Sequence, residues 1–259
     1  MAMRFAYKGI DVYYEVSGEG ETIVLLHGFL ETSAMWHYLV GEFKHTHQVI
    51  TIDLPGHGQT GCIGYVHSME EMAQMVMYLL EHLSVQKAKF IGHSMGGYVA
   101  LAITHKNPTL VSGLCLMNST FLEDSDERKV LRQRSIEMAK TNYENLVRLS
   151  FSNLFAPESR TTFKHQFEEA LELALQTPVQ GYIAAQSGMQ LRKNHLQSFL
   201  EVKGPKAIII GKKDTIVDGA FLKSSVMKTD VSICELSGGH MSHIENMYDL
   251  TYFLLQFIQ

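Results

Sequence analysis

The hydrophobic positions of the chain form one alternating stretch followed by several continuous runs. Over residues 3–16, apolar residues alternate with polar or small ones, and Lys8 and Gly9 divide the stretch, which predicts an edge β-hairpin. The continuous runs that follow are short and bounded by glycine or polar residues, as is typical of parallel strands covered on both faces. These runs begin at residues 22, 49, 88, 114, 206 and 231.

Apolar residues at helical spacing lie between most of these runs. Ser33 is predicted to cap a helix that runs to about Phe43. Ser68 and Glu71 form a capping box ahead of a methionine-rich helical stripe over residues 72–83, which we interpret as core. Strands that alternate with helices predict an α/β protein with a mostly parallel central sheet flanked by helices.

Residues 123–202 break this alternation. The segment has no strand pattern, carries several helical faces and is too long for a plain loop. We therefore predict an inserted all-helical cap at 123–202 and a core domain made of residues 1–122 and 203–259. The dense charges at the start of the insertion are expected to lie on a solvated helix.

Composition excludes several classes of protein. The 259 residues are 46% hydrophobic and 19% charged, with a net charge of −5, so nothing favours binding to nucleic acid. No apolar stretch reaches membrane-spanning length, and the first residues do not resemble a signal peptide, so we expect a cytoplasmic protein without a membrane partner. Cys62, Cys115 and Cys234 are scattered and odd in number, which predicts reduced, buried thiols.

The stretch Gly92-His-Ser-Met-Gly96 lies between a predicted strand and a predicted helix. A tight turn there would strain the backbone of Ser94 and expose its hydroxyl at the carboxyl edge of the sheet. Glycine is expected at 92 and 96 because a Cβ would collide with the neighbouring elements. The Met95 N–H is then placed to stabilise an oxyanion. The alternative interpretation is an ordinary glycine–serine turn.

A nucleophilic serine needs a base and a group that orients the base. Asp214 and His240 follow later strands, in the chain order Ser, Asp, His that suits this arrangement. Asp218 is the rival for the acid and His243 for the base. Asn118 also ends a strand, but an amide cannot serve as the acid.

Two further loops follow strands at the same edge. Phe29 is predicted to supply a second oxyanion N–H, although a plain strand-to-helix turn would look similar. Asp53, with Gly56 and Gly58, is predicted to hold a turn through side chain–backbone bonds, a structural role rather than a catalytic one. His57 is expected to be solvated or packed in that loop.

Together these motifs resemble the α/β-hydrolase fold family over residues 1–122 and 203–259. They are His27-Gly28-Phe29, Asp53-x-Pro-Gly-His-Gly58, Gly92-His-Ser-Met-Gly-Gly97, Gly211-x-x-Asp214 and Gly239-His240. The resemblance implies that Ser94 is the nucleophile, His240 the general base and then acid, and Asp214 the orienting carboxylate. It also implies an oxyanion hole formed by the Phe29 and Met95 N–H groups. Serine at position 94, in the turn between strand and helix, excludes the family's haloalkane dehalogenases and epoxide hydrolases. These enzymes resemble each other in using aspartate at the corresponding position.

The resemblance implies a cofactor-free serine hydrolase that cleaves a small carboxylic ester, thioester or lactone through an acyl-enzyme. A C–C bond hydrolase, a lyase like that of menaquinone biosynthesis, or a perhydrolase would use the same triad, and a receptor-type binding protein could share the fold. No metal ion is expected, because the pair His240 and His243 lacks an evident third ligand. The sequence leaves the substrate and the oligomeric state open.

An enzyme that acts on C–C bonds or handles carboxylates should place an arginine in its pocket. The insertion offers five candidates, most of them expected at the surface. These are Arg128, Arg132, Arg148, Arg160 and Arg192.

Overall fold

The computed structural model describes residues 2–259, which form one eight-stranded sheet in the order β1-β2-β4-β3-β5-β6-β7-β8. The strands are β1 (Ala2–Tyr7), β2 (Ile10–Ser17), β3 (Thr22–Leu26), β4 (Gln48–Ile52), β5 (Ala88–His93), β6 (Val111–Met117), β7 (Lys206–Gly211) and β8 (Ser232–Leu236). The β1–β2 and β2–β4 pairs are antiparallel and all other pairs are parallel. The predicted N-terminal hairpin and mostly parallel sheet are confirmed.

Helices cover both faces of this sheet. They are α1 (His37–Phe43), α2 (Met69–His82), α3 (Met95–Lys106), α4 (Asp126–Ala139), α5 (Tyr143–Ser152), α6 (Ser159–Thr162), α7 (Lys164–Leu175), α8 (Val179–Gln190), α9 (Leu196–Leu200), α10 (Gly219–Val226), α11 (Ser242–Glu245) and α12 (Met247–Ile258). Within residues 2–259, no helix has both the length and the apolar character needed to cross a membrane.

Successive residues of the central strands point to opposite faces, and each face has its own core. On β5, Phe90 packs with α2 and α3, whereas Ile91 packs with α1 and α12. The methionine-rich stripe of α2 belongs to the first of these cores, as predicted. Burial on both faces explains why these strands read as continuous apolar runs.

Helices α4–α9 all lie between β6 and β7. Side chains of α5, α7 and α8 form a third core with Leu30 and Met241, which belong to loops at the sheet edge. The last two helices also reach the core that contains α2 and α3, through Ala185 and Met189 of α8 and Phe199 of α9. That residues 123–202 act as a cap stays a prediction.

Two local predictions need correction. Thr32, rather than Ser33, caps the first helical turn, its hydroxyl accepting the Ala34 N–H at 3.3 Å. All three cysteines are free, but only Cys115 is buried, while Cys62 and Cys234 are partly exposed.

Candidate active site

Ser94 lies at a tight turn between β5 and α3 and has φ 47° and ψ −113°. A Cβ added to Gly92 would lie 2.5 Å from the carbonyl carbon of Gly96, and one added to Gly96 would lie 2.1 Å from the Leu26 carbonyl oxygen. Side chains at these two positions would therefore force the elbow open. The predicted strained turn and the need for both glycines are confirmed.

Backbone bonds fix the elbow in place. The Ser94 N–H donates to the Met117 carbonyl at 3.0 Å, and the Ser119 hydroxyl donates to the Ser94 carbonyl at 2.7 Å. Met95 is the first residue of α3, so its N–H has no acceptor within the helix and lies at the positive end of the helix dipole. The Phe29 side chain lines the same cavity as Ser94. Both residues are thus near the nucleophile, and their oxyanion role stays a prediction.

His240 and Asp214 form a buried pair in the loops that follow β8 and β7. His240 Nδ1 lies 2.8 Å from Asp214 Oδ2, and their side chains are 3% and 1% exposed. Asp214 Oδ1 accepts the backbone N–H groups of Ile216 at 2.8 Å and Val217 at 3.1 Å. Because Nδ1 faces the carboxylate, any proton transfer by this ring would have to use the other nitrogen, Nε2. His240 lines the same cavity as Ser94.

The environment keeps Asp214 ionised. Burial by itself raises the pKa of this carboxyl, but the neighbouring His240 and the hydrogen bonds from Ile216 and Asn118 outweigh burial. The pKa of Asp214 therefore lies below its ordinary value of 3.8. An ionised carboxylate is what is needed to stabilise an imidazolium during proton transfer.

Asn118 contributes more than the sequence indicated. Its side-chain N–H₂ donates to Asp214 Oδ2 and to the Gly239 carbonyl, both at 3.1 Å, so it ties the acid to the histidine loop. Its φ of 45° places it in the left-handed region at the carboxyl end of β6. The sequence showed only that this amide could not be the acid; its position at a strand end was the available signal for a supporting role.

The two rival residues lie elsewhere. Asp218 is exposed and caps α10, accepting the Phe221 N–H at 2.9 Å. His243 is buried, with Nε2 3.9 Å from Glu31 Oε1, and it lines a cavity that lacks Ser94. The structure therefore places His240, which is held by Asp214, in the wall of the cavity that contains Ser94, and leaves both rivals in other contacts.

A buried cluster of Glu31, His93 and His243 lies behind the elbow and was not predicted. Glu31 Oε2 accepts the Gly28 N–H at 2.6 Å and lies 2.6 Å from His93 Nδ1. His93 Nε2 donates to the His240 backbone carbonyl at 2.9 Å. With one ring nitrogen facing a carbonyl and the other a carboxylate, His93 is best described as an imidazolium paired with Glu31.

Charge on this pair is favoured in spite of burial. Burial by itself raises the pKa of the Glu31 carboxyl. His93 and, to a smaller extent, His243 outweigh burial and lower this pKa to about 2. Burial lowers the pKa of His93, yet the Glu31 carboxylate outweighs burial and raises it. Burial lowers the pKa of His243 to about 4, which keeps that ring neutral at pH 7.

The same three side chains are the one group within residues 2–259 whose geometry could hold a metal ion, with ligand atoms within 4.8 Å of one another. The short contact between His93 Nδ1 and Glu31 Oε2 places a proton where an ion would need a lone pair. We therefore assign this cluster to an ion pair that supports the His240 loop, and the absence of a metal stays a prediction.

Replacing Glu31 with glutamine is expected to lower the free energy of unfolding at pH 7 by about 3 kcal/mol, because a drop in pKa from 4.5 to about 2 corresponds to that energy. Since the folded pKa is depressed, this stabilisation is complete above pH 4.5 and is lost as pH falls toward 2. Urea unfolding at pH 7 and pH 3 should show a smaller difference from wild type at pH 3. The exposed Glu172→Gln variant is the control, and an equal loss in both variants would contradict the assignment.

The structural role predicted for Asp53 is confirmed. Asp53 Oδ1 accepts the Ser33 N–H at 2.7 Å and Oδ2 the Gln59 N–H at 2.8 Å. His57 is buried, within 5.8 Å of the Phe29 ring centroid. His27 accepts the Leu54 N–H at 2.9 Å and so joins the two loops. These bonds hold the loops that follow β3 and β4.

The cavity that contains Ser94 and His240, called the Ser94 cavity below, has a volume of about 150 Å³. Its wall combines apolar side chains with four polar ones from the insertion, Arg128, Arg132, Ser150 and Gln186. A larger, mostly apolar cavity of about 590 Å³ lies on the other side of Leu30 and Glu31. The Ser94 cavity shares Leu30 and Glu31 with this larger cavity.

The insertion arginines divide into two groups. Arg148 and Arg160 are exposed, as expected for most of them, and Arg148 pairs with Glu144. Arg132 and Arg192 are instead buried, and Arg128 is half-buried. The expectation of surface positions is therefore wrong for Arg132 and Arg192.

Comparison with known proteins identifies the class to which this fold and site belong. A model of the alpha/beta hydrolase fold family matches residues 21–246. The chain therefore belongs to the α/β-hydrolase fold family.

Individual relatives are similar at moderate identity. The chain is 25% identical over 214 residues to 3-oxoadipate enol-lactonase 1 of Acinetobacter baylyi, covering 82% of this chain and 78% of that protein. It is 27% identical over 252 residues to the dihydrolipoyllysine-residue acetyltransferase component of the acetoin cleaving system of Pseudomonas putida, covering 95% of this chain and 66% of that protein. Matches to two other curated relatives cover less than half of those proteins.

Among solved structures, a thermophilic esterase from Thermogutta terrifontis with bound malate superposes with a TM-score of 0.92. It is 25% identical and the match covers 100% of this chain and 98% of that one. The whole length described here, including the helical insertion, thus has a counterpart in one esterase structure.

Proposed function

We propose that this protein is a cofactor-free serine hydrolase that cleaves a small carboxylic ester, thioester or lactone through an acyl-enzyme on Ser94. One observation carries the proposal. Ser94, at a strained elbow, opens into the same cavity as His240, whose Nδ1 is held 2.8 Å from the buried carboxylate of Asp214. This arrangement supplies a nucleophile, a base and an orienting acid from three separate loops.

The proposed reaction has two stages. His240 Nε2 takes the Ser94 proton as Oγ attacks the acyl carbon, and the oxyanion that forms is bound by the Phe29 and Met95 N–H groups. Each such donor is worth about 3–4 kcal/mol in the transition state. The tetrahedral intermediate expels the alcohol, or opens the lactone ring, with a proton from His240. Water, activated by the same ring, then hydrolyses the acyl-enzyme and frees Ser94.

The comparisons favour cleavage of a C–O bond to an acyl carbon. One similar structure is named an esterase and one similar relative an enol-lactonase. A cavity of about 150 Å³ beside the serine suits small molecules of this kind. A small-molecule substrate and a cytoplasmic location are part of the proposal.

A second candidate is a C–C bond hydrolase that uses the same triad. The observation that favours it is the presence of Arg128 and Arg132 in the wall of the Ser94 cavity, as expected for an enzyme that handles a carboxylate. An ester hydrolase for an anionic substrate would use the same arginines, so the bond cleaved has to be tested directly.

The test is a panel of p-nitrophenyl esters with acyl chains of two to twelve carbons, run beside γ- and δ-lactones. We expect turnover to peak at a short acyl chain and to be abolished by a fluorophosphonate that labels Ser94. Labelling of Ser94 without turnover of any ester or lactone would shift the assignment to the C–C bond hydrolase. If Ser94 is not labelled and no ester or lactone is turned over, the serine hydrolase proposal is overturned.

A further inference from the structure

Two arginines of one helix face the Ser94 cavity. Arg128 and Arg132 are four residues apart on α4, so their side chains lie on the same side of the helix, and both line the cavity that contains Ser94. Like charges at this spacing destabilise a helix in isolation. The pair therefore does not serve the stability of α4 itself.

Arg132 is a fixed positive charge in this wall. Its Nε and one terminal nitrogen bond to Asp124, and its other terminal nitrogen donates to Gln186 Oε1 at 2.8 Å. Arg192 bonds to the same carboxylate, with a terminal nitrogen 2.5 Å from Asp124 Oδ1, and stacks over the Tyr98 ring. Asp124 has no exposed side-chain surface. Two buried guanidinium groups thus share one carboxylate, which leaves a net positive charge behind the cavity.

Arg128 has no such partner. Within residues 2–259, no carboxylate oxygen lies within 4.0 Å of its guanidinium. The side chain is half-buried and lines both the Ser94 cavity and an adjoining cavity of about 180 Å³. Its donors therefore face space that a ligand could fill.

The acidic groups nearby do not neutralise this charge. Glu31 is the carboxylate in the wall of the Ser94 cavity, and it is already paired with His93. Glu123 and Asp218 line the adjoining cavity, where both are exposed. Arg134 of the same helix shows the contrast, because it is exposed to solvent and lines neither cavity.

We propose that Arg128 binds a carboxylate group of the substrate, with Arg132 and Arg192 as fixed positive charges behind it. The substrate class is then an ester or lactone that carries a separate carboxylate, such as a half-ester of a short dicarboxylic acid. This inference rests on the proposed hydrolase function for the identity of the bond cleaved, but the anion subsite itself depends only on the arrangement of the arginines.

The experiment compares monomethyl esters of four- to seven-carbon dicarboxylic acids with methyl esters of the monocarboxylic acids of equal chain length. In the wild type we expect kcat/KM to be higher for the anionic esters. Arg128→Gln should lower kcat/KM for these esters by roughly ten- to hundredfold, mainly through KM, because it removes a charge-assisted hydrogen bond. The neutral esters should change less than about twofold, and Arg128→Lys should recover part of the loss by restoring charge.

Arg134→Gln removes the same charge from the exposed side of α4 and is the matched control; it should leave both ester classes unchanged. A wild-type preference for neutral esters would overturn the proposal, as would an equal loss for both classes in Arg128→Gln. Unchanged circular dichroism spectra would exclude unfolding as the cause of any loss.

Binding without turnover separates this proposal from the proposed function. At constant ionic strength, glutarate should raise the melting temperature of the wild type, whereas the neutral glutaramide should not. Arg128→Gln should lose the glutarate effect. If no ester or lactone is hydrolysed but this pattern holds, the proposed cleavage of an ester or lactone fails and the anion subsite stands. If glutarate has no effect on the wild type, the subsite fails whatever the enzyme hydrolyses.

Discussion

Replacing Ser94 with alanine is expected to lower kcat/KM for the best ester substrate by at least about 10⁴-fold, the size of effect found when a triad nucleophile is removed. The loss follows because no acyl-enzyme forms without Oγ, and the residual rate relies on substrate binding and oxyanion donors alone. The fold should be kept. Alanine retains the Cβ, so the backbone at φ 47° is no more strained than with serine, and the bonds from the Ser94 N–H and to its carbonyl are unaffected.

The measurement is steady-state hydrolysis of a short-chain ester, together with thermal unfolding and fluorophosphonate labelling of both proteins. Ser150→Ala is the matched control, because Ser150 lines the same cavity and its hydroxyl donates to the Leu146 carbonyl at 2.6 Å. This control should change kcat/KM only a few-fold. A Ser94→Ala protein that keeps a tenth of the wild-type rate would show that another group is the nucleophile.

Much of the fold was predictable because its signals are local. The continuous apolar runs of β3–β7 follow directly from burial on both faces, and the turn chemistry at Ser94 requires glycine at fixed offsets. The residues proposed as the triad were also predictable, since each follows a strand and the carboxyl ends of parallel strands meet at one edge. Strand position was sufficient to predict that Asp214 would contact His240 and that His240 would line the same cavity as Ser94.

The supporting residues were not predictable, because their roles depend on contacts between distant segments. Glu31 and His93 are 62 residues apart in the chain, and no local pattern indicates that these two side chains pair. Arg132 reads as part of a charged, solvated helix start, yet Asp124 and Gln186 hold it in the cavity wall. In both cases burial was decided by packing of the insertion and the sheet-edge loops.

The helical insertion shows the same limit. Apolar spacing predicted its helices, but not which of them turn back to the sheet. Phe199 of α9 stacks with Phe121, with ring centroids 6.2 Å apart, and so joins the core beside α3 rather than the one above the strand ends. Amphipathic periodicity fixes which face of a helix is buried and carries no information about the partner that buries it.

Asp214→Asn is the second change for which we expect a large effect, a fall in kcat/KM of about 10⁴-fold, comparable to the loss caused by this substitution in other triads. The surroundings fix how asparagine would sit. The backbone N–H groups of Ile216 and Val217 donate to Oδ1, and they would continue to demand an oxygen there. The amide nitrogen would then take the place of Oδ2 and donate to His240 Nδ1.

In that arrangement the proton of a neutral His240 lies on Nε2, so the ring can no longer accept the Ser94 proton. In the wild type the Asn118 N–H₂ group donates to Asp214 Oδ2 at 3.1 Å. In the variant the new amide would direct its own N–H at this group, and this conflict adds a smaller cost in stability. Kinetics of Asp214→Asn should therefore show the loss mainly in kcat, with fluorophosphonate labelling slowed to a similar degree. Asp218→Asn is the matched control, because that carboxylate caps α10 at an exposed site and its loss should change kcat/KM less than about threefold. If Asp218→Asn were the more damaging of the two, the hydrogen bond between Asp214 and His240 would be structural and the acid of the triad would have to be reassigned.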